Sequence, residues 1–531
     1  MSDKEKISLP EIPDGMRTPM VDLLYRLLEQ VLEENQKLKA EIIQLKDEIA
    51  RLKNLPKRPK INPSKMDDEP KGSSGGKGDG EKDSIAKKEK PITEIKTIKV
   101  ENLPKGSKFK GYRTYDVQDI EIIVKNIRYQ LERWELPSGE CITAELPKEV
   151  KGYHFGSALR SYIIYQHNNQ LVTQPLLLEW LRELGISISS GEINRILNDE
   201  KEDFHNESIE ILRAGLQESK YIQTDDTGAR HKGKNGYCTQ IGNIFFTYFA
   251  SRRYKSRINF LEILRAGYED YIFNESALDY MVKERLSKEW LDKLSCSKKH
   301  WKNKKSWERY LKEIGLKDER YKQMVTEGVL LGSIIGHGFL KTASILSDDA
   351  GQFNILSHAL CWVHAERILR KLMPNNDLQR KEMNQVLNEF WKIYKKLKKY
   401  KLNPTLKIQK KVEKNFDNLF TKQTEWATLN NTLKRLMNNK EELLLVLERP
   451  EIPLHNNLSE NDIRTYVKKR KISGGTRGDC GRDCRDTFAS LKKTCRKLKI
   501  SFWKYLNDRI SKTNNIPKLP TLVIQAIKAG A

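Results

Sequence analysis

Cysteine is scarce: seven residues are scattered through 531, with no dense or repeated spacing. That excludes a disulfide framework and fits a reducing compartment. Cys141 stands alone, Cys361 and His364 form one isolated CxxH pair, and Cys480 and Cys484 have no histidine near them. No zinc site is expected from such a set. Long apolar runs are also missing. No stretch of about 18 apolar residues occurs, so no membrane span is read. Met1-Ser2-Asp3-Lys4-Glu5-Lys6 leads into no apolar segment, so no secretory signal is read. Negative charge is in deficit, with 97 Lys and Arg against 72 Asp and Glu, a net +25. A polyanionic partner follows, most simply nucleic acid, and a cytoplasmic, nucleoid-associated protein is expected.

What is present falls into segments. In residues 1–55, Leu24, Leu28, Val31, Asn35, Leu38, Ile42, Leu45, Ile49 and Leu52 recur at alternating spacings of four and three. That is the seam of a homodimerising coiled coil, with Asn35 at a position that sets register. Residues 56–93 are Pro, Gly, Ser, Lys and Asp and read as a disordered linker. Residues 94–150 alternate apolar and polar positions (Ile120-Glu121-Ile122, Ile127-Arg128-Tyr129) and predict a small β-rich module. Residues 151–215 are helical. Leu176, Leu177, Trp180, Leu181 and Leu184 share a helical face, Gly185 breaks it, and Ser189 or Ser190 caps a second helix. This is a helix-turn-helix pattern for DNA, shared by any plain helical hairpin.

The chemistry begins at Lys220-Tyr221-Ile222-Gln223-Thr224-Asp225-Asp226-Thr227-Gly228, which reads as a strand ending in two carboxylates before a glycine turn. Acids at the end of a buried strand need a partner. Ser344-Ile345-Leu346-Ser347-Asp348-Asp349-Ala350-Gly351 repeats the design. Further on, Glu460 lies in the first turn of a helix, and Glu460, Arg464 and Lys468 share one face. Two strand-end acids and a helical glutamate are what a two-metal phosphoryl-transfer site needs, with oxygen ligands suited to two Mg²⁺ or Mn²⁺ ions. Side chains alternate along a strand, so each Asp pair offers one ligand, and Asp226 and Asp349 then support or cap turns.

Together, Thr224-Asp225-Asp226-Thr227, Asp348-Asp349-Ala350-Gly351, Cys361-Trp362-Val363-His364-Ala365-Glu366-Arg367, and Asn456-Asn457 followed by Glu460 and Arg464 resemble the insertion sequence 66 family of transposases. The likeness runs in order from about residue 150 to 510. It implies an α/β, ribonuclease-H-like DDE core, placed at 216–510; the residues at about 268–335 and 374–447 read as helical insertions in it, and 511–531 as a C-terminal tail. It implies metal-dependent hydrolysis at transposon ends, then attack of the freed 3′-hydroxyl on target DNA, with accessory proteins as further partners. Carried over by position, the catalytic and metal-binding triad is Asp225, Asp348 and Glu460. His364, Asn457, Arg464 and Lys468 become supporting or DNA-contacting residues. Members of the family usually carry a cysteine-rich module before the core, and residues 54–140 contain no cysteine.

Trp290, Trp301, Trp307 and Tyr310 stand among lysines in the first insertion, as core contacts or as platforms for unpaired bases. Between Arg464 and Lys499 there are thirteen Lys or Arg against three Asp, and Gly474, Gly475 and Gly478 lie among them. A phosphate-backbone track is expected there. A transposase leads these readings. A same-fold nuclease without strand transfer and a non-catalytic coiled-coil DNA-binding regulator are the alternatives.

Overall fold

The computed structural model describes residues 92–530 apart from Lys148 and Ser297, together with Met20, Leu28 and Val31. The heptad seam, save Leu28 and Val31, and the segment 56–91 lie outside the described residues.

The expected β-rich module reduces to one hairpin. Strand β1 (Arg133–Glu135) pairs antiparallel with β2 (Cys141–Thr143) around the turn at Pro137-Ser138-Gly139, where Gly139 takes φ +81°. Ile120, Ile122, Ile123 and Ile127 are exposed and belong to no strand. Alternation makes a strand only where a neighbour pairs its edge and covers its apolar face. Among the described residues nothing covers this segment.

Helices α1 (Ser157–Asn168), α2 (Gln174–Glu183), α3 (Ser190–Asn198) and α4 (Glu202–Glu218) follow. The α2–α3 turn matches the sequence. Pro175 sits in the first turn of α2, Gly185 takes φ +80°, and the Ser189 hydroxyl accepts from Glu192 N at 3.1 Å to cap α3.

Strands β3 (Tyr221–Gly228), β4 (Tyr237–Gly242) and β5 (Thr247–Arg252) form an antiparallel meander. The first insertion holds α5 (Arg257–Leu264), β6 (Tyr271–Ile272), α6 (Glu275–Lys283), α7 (Lys288–Ser295), β7 (His300–Trp301), α8 (Lys304–Glu313) and α9 (Glu319–Gly336). Its aromatics are core: Trp301 and Trp307 are buried, edge to face at 4.7 Å, and Tyr271 stacks on Trp307 at 5.7 Å. Strands β8 (Ser344–Ser347) and β9 (Ser357–Leu360) return to the main sheet, parallel to β3, in the order β5-β4-β3-β8-β9.

Helix α10 (Trp362–Arg370) leads into the second insertion, α11 (Asp377–Leu402), α12 (Leu406–Phe420), α13 (Ala427–Asn438) and α14 (Lys440–Leu444), and packs with it around a core of Trp362, Phe390, Phe416 and Leu429. Last come α15 (Asn457–Ser473), α16 (Asp479–Lys497), α17 (Phe502–Ile510) and α18 (Leu519–Ala529). Two expected boundaries fail. The C-terminal stretch is no tail, because α18 packs on α4 and buries Leu519, Val523 and Ile527. Nor is the region of α1–α4 a separate unit: Leu177, Ile193 and Phe204 share one core with Phe488, Tyr505 and Val523. Apolar faces more than 280 residues apart in the chain complete one another, which local periodicity cannot reveal.

Helix α15 is held to the sheet by Asp462. Its buried carboxylate accepts from Thr247 Oγ1 at 2.6 Å and meets Lys497 at 2.7 Å and Lys493 at 3.3 Å, both on α16. Burial pushes this carboxyl up, but Lys497 and then Lys493 outweigh burial and hold it below the usual range. Asp462→Ala removes the one carboxylate that faces both ammonium groups. It should cost about 3–5 kcal/mol, read as a lower urea midpoint, with Asp462→Asn in between. An unchanged midpoint in the alanine variant would mean that the lysines relax to water at no cost.

Candidate active site

The first two acids meet through sheet register. Tyr221, Ile222 and Gln223 pair in parallel with Ser344, Ile345 and Leu346. Continuing that register past the last pair sets Asp225 beside Asp348. The β3 strand does not end at its carboxylates, as the sequence suggested. It runs on to Gly228 along β4, and only its parallel pairing stops at Gln223. Asp348 does leave the sheet, accepting from Ala350 N at 3.2 Å in a short Asx-type turn. The third acid arrives on α15. Asn456, fully buried just before that helix, donates Nδ2–H to Thr224 O at 2.8 Å and its backbone N–H to Cys361 Sγ at 3.3 Å. These bonds pin the start of α15 to β3, one residue before Asp225, and Glu460 lies in the first turn, where the helix dipole favours a carboxylate.

The electrostatics report the convergence. Burial pushes the Asp225 carboxyl up to about 7. The backbone N–H of Asp226, 2.8 Å away, opposes that shift, while Asp348, Asp226 and Glu460 add to it by repulsion. Among the described residues no group of three or more His, Cys, Asp or Glu stands at metal-holding spacing. The three acids share a field without closing on one point. Glu460 is instead held by Arg367, whose Nη1 and Nη2 lie 3.0 and 3.4 Å from its two oxygens. His364 Nε2 lies 3.6 Å from Glu460 and 3.0 Å from Arg367 Nη1. Burial and then Arg367 push the imidazole pKa down, so His364 sits neutral beside the pair.

The other expected site residues divide. Asp226 points away from Asp225 and meets Lys255 at 3.0 Å and Gln352 at 2.8 Å, while burial pushes its own carboxyl up. Asp349 is ion-paired with Arg435 of α13, which ties the end of β8 to the second insertion. Asn457 is half-buried at the start of α15, and its neighbour Asn456 makes the bond to β3. Nothing in the sequence distinguishes these two asparagines. Arg367 had a readable signal, since it lies one turn after His364 on the same helical face. Arg464 and Lys468 are exposed.

The expected phosphate track is largely internal. Lys493 and Lys497 serve Asp462, Arg482 meets Asp479 at 2.9 Å and Asp483 at 2.8 Å, and Lys469 and Lys492 bond carbonyls of α1. Gly475 admits protein backbone: a Cβ there would lie 2.6 Å from Arg230 O, and Thr476 pairs with the loop of residues 230–232. Arg464, Lys468, Lys471 and Arg477 remain exposed.

The raised Asp225 pKa has a defined sign. The folded state binds its proton more tightly than the unfolded chain does. This contribution to stability is complete below about pH 4 and is lost as pH rises toward about 7. In cation-free buffer, Asp225→Asn should therefore gain on the wild type between pH 4 and 7, reaching a few kcal/mol at pH 8. Thermal midpoints in EDTA at pH 4 and pH 8 measure the difference. A gap that does not widen with pH would remove the carboxylate cluster as its source.

Two comparisons bear on identity. The family model described as Transposase IS66 family matches residues 334–483, a span that includes Asp348, the Cys361–Arg367 segment and Glu460. The Uncharacterized protein y4jO of Sinorhizobium fredii is similar to this chain, 44% identical over 303 residues, which are 56% of this chain and 94% of that protein. The chain thus belongs to the IS66 family of transposases.

Proposed function

We propose that the protein is a DDE transposase. It binds the ends of its insertion element, cleaves DNA there and joins the freed 3′ ends to target DNA. Its core is ribonuclease-H-like, a reading supported by a sheet with three antiparallel strands, the first of them extended by two parallel ones. The observation that carries the proposal is the delivery of Asp225, Asp348 and Glu460 from β3, the end of β8 and α15 to one field, where burial first, and then repulsion by Asp348, Asp226 and Glu460, raises Asp225.

The donor set fits a hard divalent cation by its chemistry: three carboxylates, of which Asp225 is raised mainly by burial and further by the acids around it. Bound Mg²⁺ or Mn²⁺ ions supply charge stabilisation for the attacking and leaving oxygens of an in-line displacement. The protein's own groups do the rest. Arg367 neutralises Glu460 and keeps it near the cluster until it is released to a ligand. Neutral His364 leaves the local charge to Arg367. Asp226, held by Lys255 and Gln352, fixes the back of β3 and with it the aim of Asp225. Arg464 and Lys468 continue the Glu460 face of α15 at about 6 and 12 Å along the helix, a spacing for successive phosphates. The α2–α3 pair is the candidate reader of the element end. Pairing of two copies through the heptad seam brings two ends together, and Asn35→Leu should loosen a strict dimer when mass is followed by light scattering.

The decisive experiment incubates the protein with element-end duplex and Mg²⁺. Asp225→Ala, Asp348→Ala and Glu460→Ala should each lower the cleavage rate by at least about a thousandfold. Asp226→Asn should stay within about a hundredfold of the wild type, as expected for a supporting group. Cutting at the wild-type rate by all three alanine variants would sink the assignment. Cutting without joining would make the protein a nuclease.

A further inference from the structure

A second charged site lies on another face of α15. Between the end of α1 and the facing sides of α15 and α16 is a small cavity of about 20 Å³ that opens to solvent. Arg485, Lys469, Lys492 and Lys493 line it, against a wall that includes Phe249 and Tyr466.

The cations are unequally matched. Lys493 has Asp462. Lys469 donates to His167 O at 2.6 Å and lies 3.1 Å from His167 Nε2, and Lys492 donates to Asn168 O at 2.7 Å. Those carbonyls end α1 and carry only partial charge. Arg485 is 8% exposed, and its Nε and Nη2 have no hydrogen-bond partner among the described residues. Its guanidinium lies 4.9 Å from the Tyr466 ring centre. The carboxylate nearest to Nε, Asp486 at 3.9 Å, already accepts from Ser251 N, Ser251 Oγ and Tyr466 OH.

Burying four cations against two carboxylates is costly, and so are guanidinium N–H groups left without acceptors. The strain registers on the lysines. Burial, then Lys492 and Arg485, push the Lys469 ammonium down to about 7, and burial, then Lys493 and Arg496, push Lys492 down to about 8. Burial also keeps His167 neutral, so it adds no charge of its own.

We propose that this cavity binds a tetrahedral phosphate oxyanion at its mouth, with Lys492 and Lys469 donating to it and the buried Arg485 guanidinium adding positive charge from the wall behind. The cavity is on the scale of one water, so it takes a single oxygen of the anion while the rest stays at the open mouth, and it has no room for a nucleotide, since pockets for larger ligands start at about 300 Å³. The site is separate from the carboxylates. Lys469 lies nine residues after Glu460, about 14 Å along the helix and half a turn round it. Two sources offer the same chemistry, free inorganic phosphate and a backbone phosphate of bound DNA. The second rests on the transposase reading, and the cavity mouth suits it. Asn168, half-buried there, ends α1, and the half-buried Leu171 belongs to the connection into α2, held at φ +65°. A phosphate gripped here would set the register of DNA against α2–α3 without taking part in reaction.

The test uses the full chain, inorganic phosphate and an uncleavable duplex. Phosphate, but not chloride at equal ionic strength, should raise the thermal midpoint of the wild type. Lys492→Gln, at the half-buried rim, should weaken phosphate about tenfold, the loss of one charge-assisted bond. Arg485→Gln should abolish the effect, and if that variant fails to fold, Lys492→Gln still decides. Phosphate that displaces duplex, together with a salt slope lowered by about one in Lys492→Gln, identifies a DNA phosphate. Phosphate binding without displacement identifies the free anion. A wild type with no phosphate-specific shift, or a shift unchanged in Lys492→Gln, overturns the site. No readout requires cleavage, and Asp225→Ala should bind phosphate like the wild type, so loss of the catalytic reading leaves this test intact.

Discussion

The parallel pairing of β3 with β8 is the constraint on which the candidate site depends. These strands are separated in sequence by the meander and the whole first insertion, yet their register decides whether Asp225 and Asp348 are neighbours. A shift of one residue would turn one of the two acids to the opposite face. The register is protected by burial: Ile222, Ile345 and Leu346 are inaccessible to solvent, and β8 is buried along its whole length. Asn456 then fixes the third element against the same strand. This side-chain amide thereby joins Asp462 in coupling the helix carrying Glu460 to the sheet carrying the other two acids.

Charge in this protein works mainly at short range and indoors. A net +25 points to a polyanion, but many of the basic groups that follow Glu460 hold helices together. Asp462 gathers two lysines from α16, and Glu207 similarly gathers Arg509 and Tyr505 to lock α4 to α17. Buried pairs of this kind add little net stability over apolar packing, but they are costly to break, so they specify which helix faces which. What remains for an outside partner includes the exposed Arg464, Lys468, Lys471 and Arg477, and the under-matched pocket at Arg485.

The carboxylate cluster shows the opposite economy. Its acids are buried and brought together at a cost in stability, visible in Asp225, which burial raises first and its neighbours raise further; Arg367 on Glu460 and Lys255 on Asp226 ease the charge. Strain of this sort persists where the surrounding fold over-determines it. Here a buried sheet, a first insertion that shares the main core and a second with a core of its own provide that rigidity.

Several features were legible in the sequence because they are local. The α2–α3 turn follows from Gly185 and Ser189, the strand-end Asp348 from an apolar run stopped by acids, and the place of Glu460 from its position at a helix start. The order of short motifs was enough to indicate the family, because motif order survives in one dimension. The same local logic failed at residues 94–150, where alternation found no neighbour to pair with, and at the C-terminus, where an apolar helix face found α4. It also could not separate Asn456 from Asn457, reveal that Arg367 holds Glu460, or tell the lysines that serve the fold from those left for a ligand. Each of those outcomes depends on what lies across a contact from a residue far away in the chain. The sequence by itself determined which groups were available and in what order. Tertiary packing decided which of them meet, because burial and partner distance set the charge, the bonding and the aim of each.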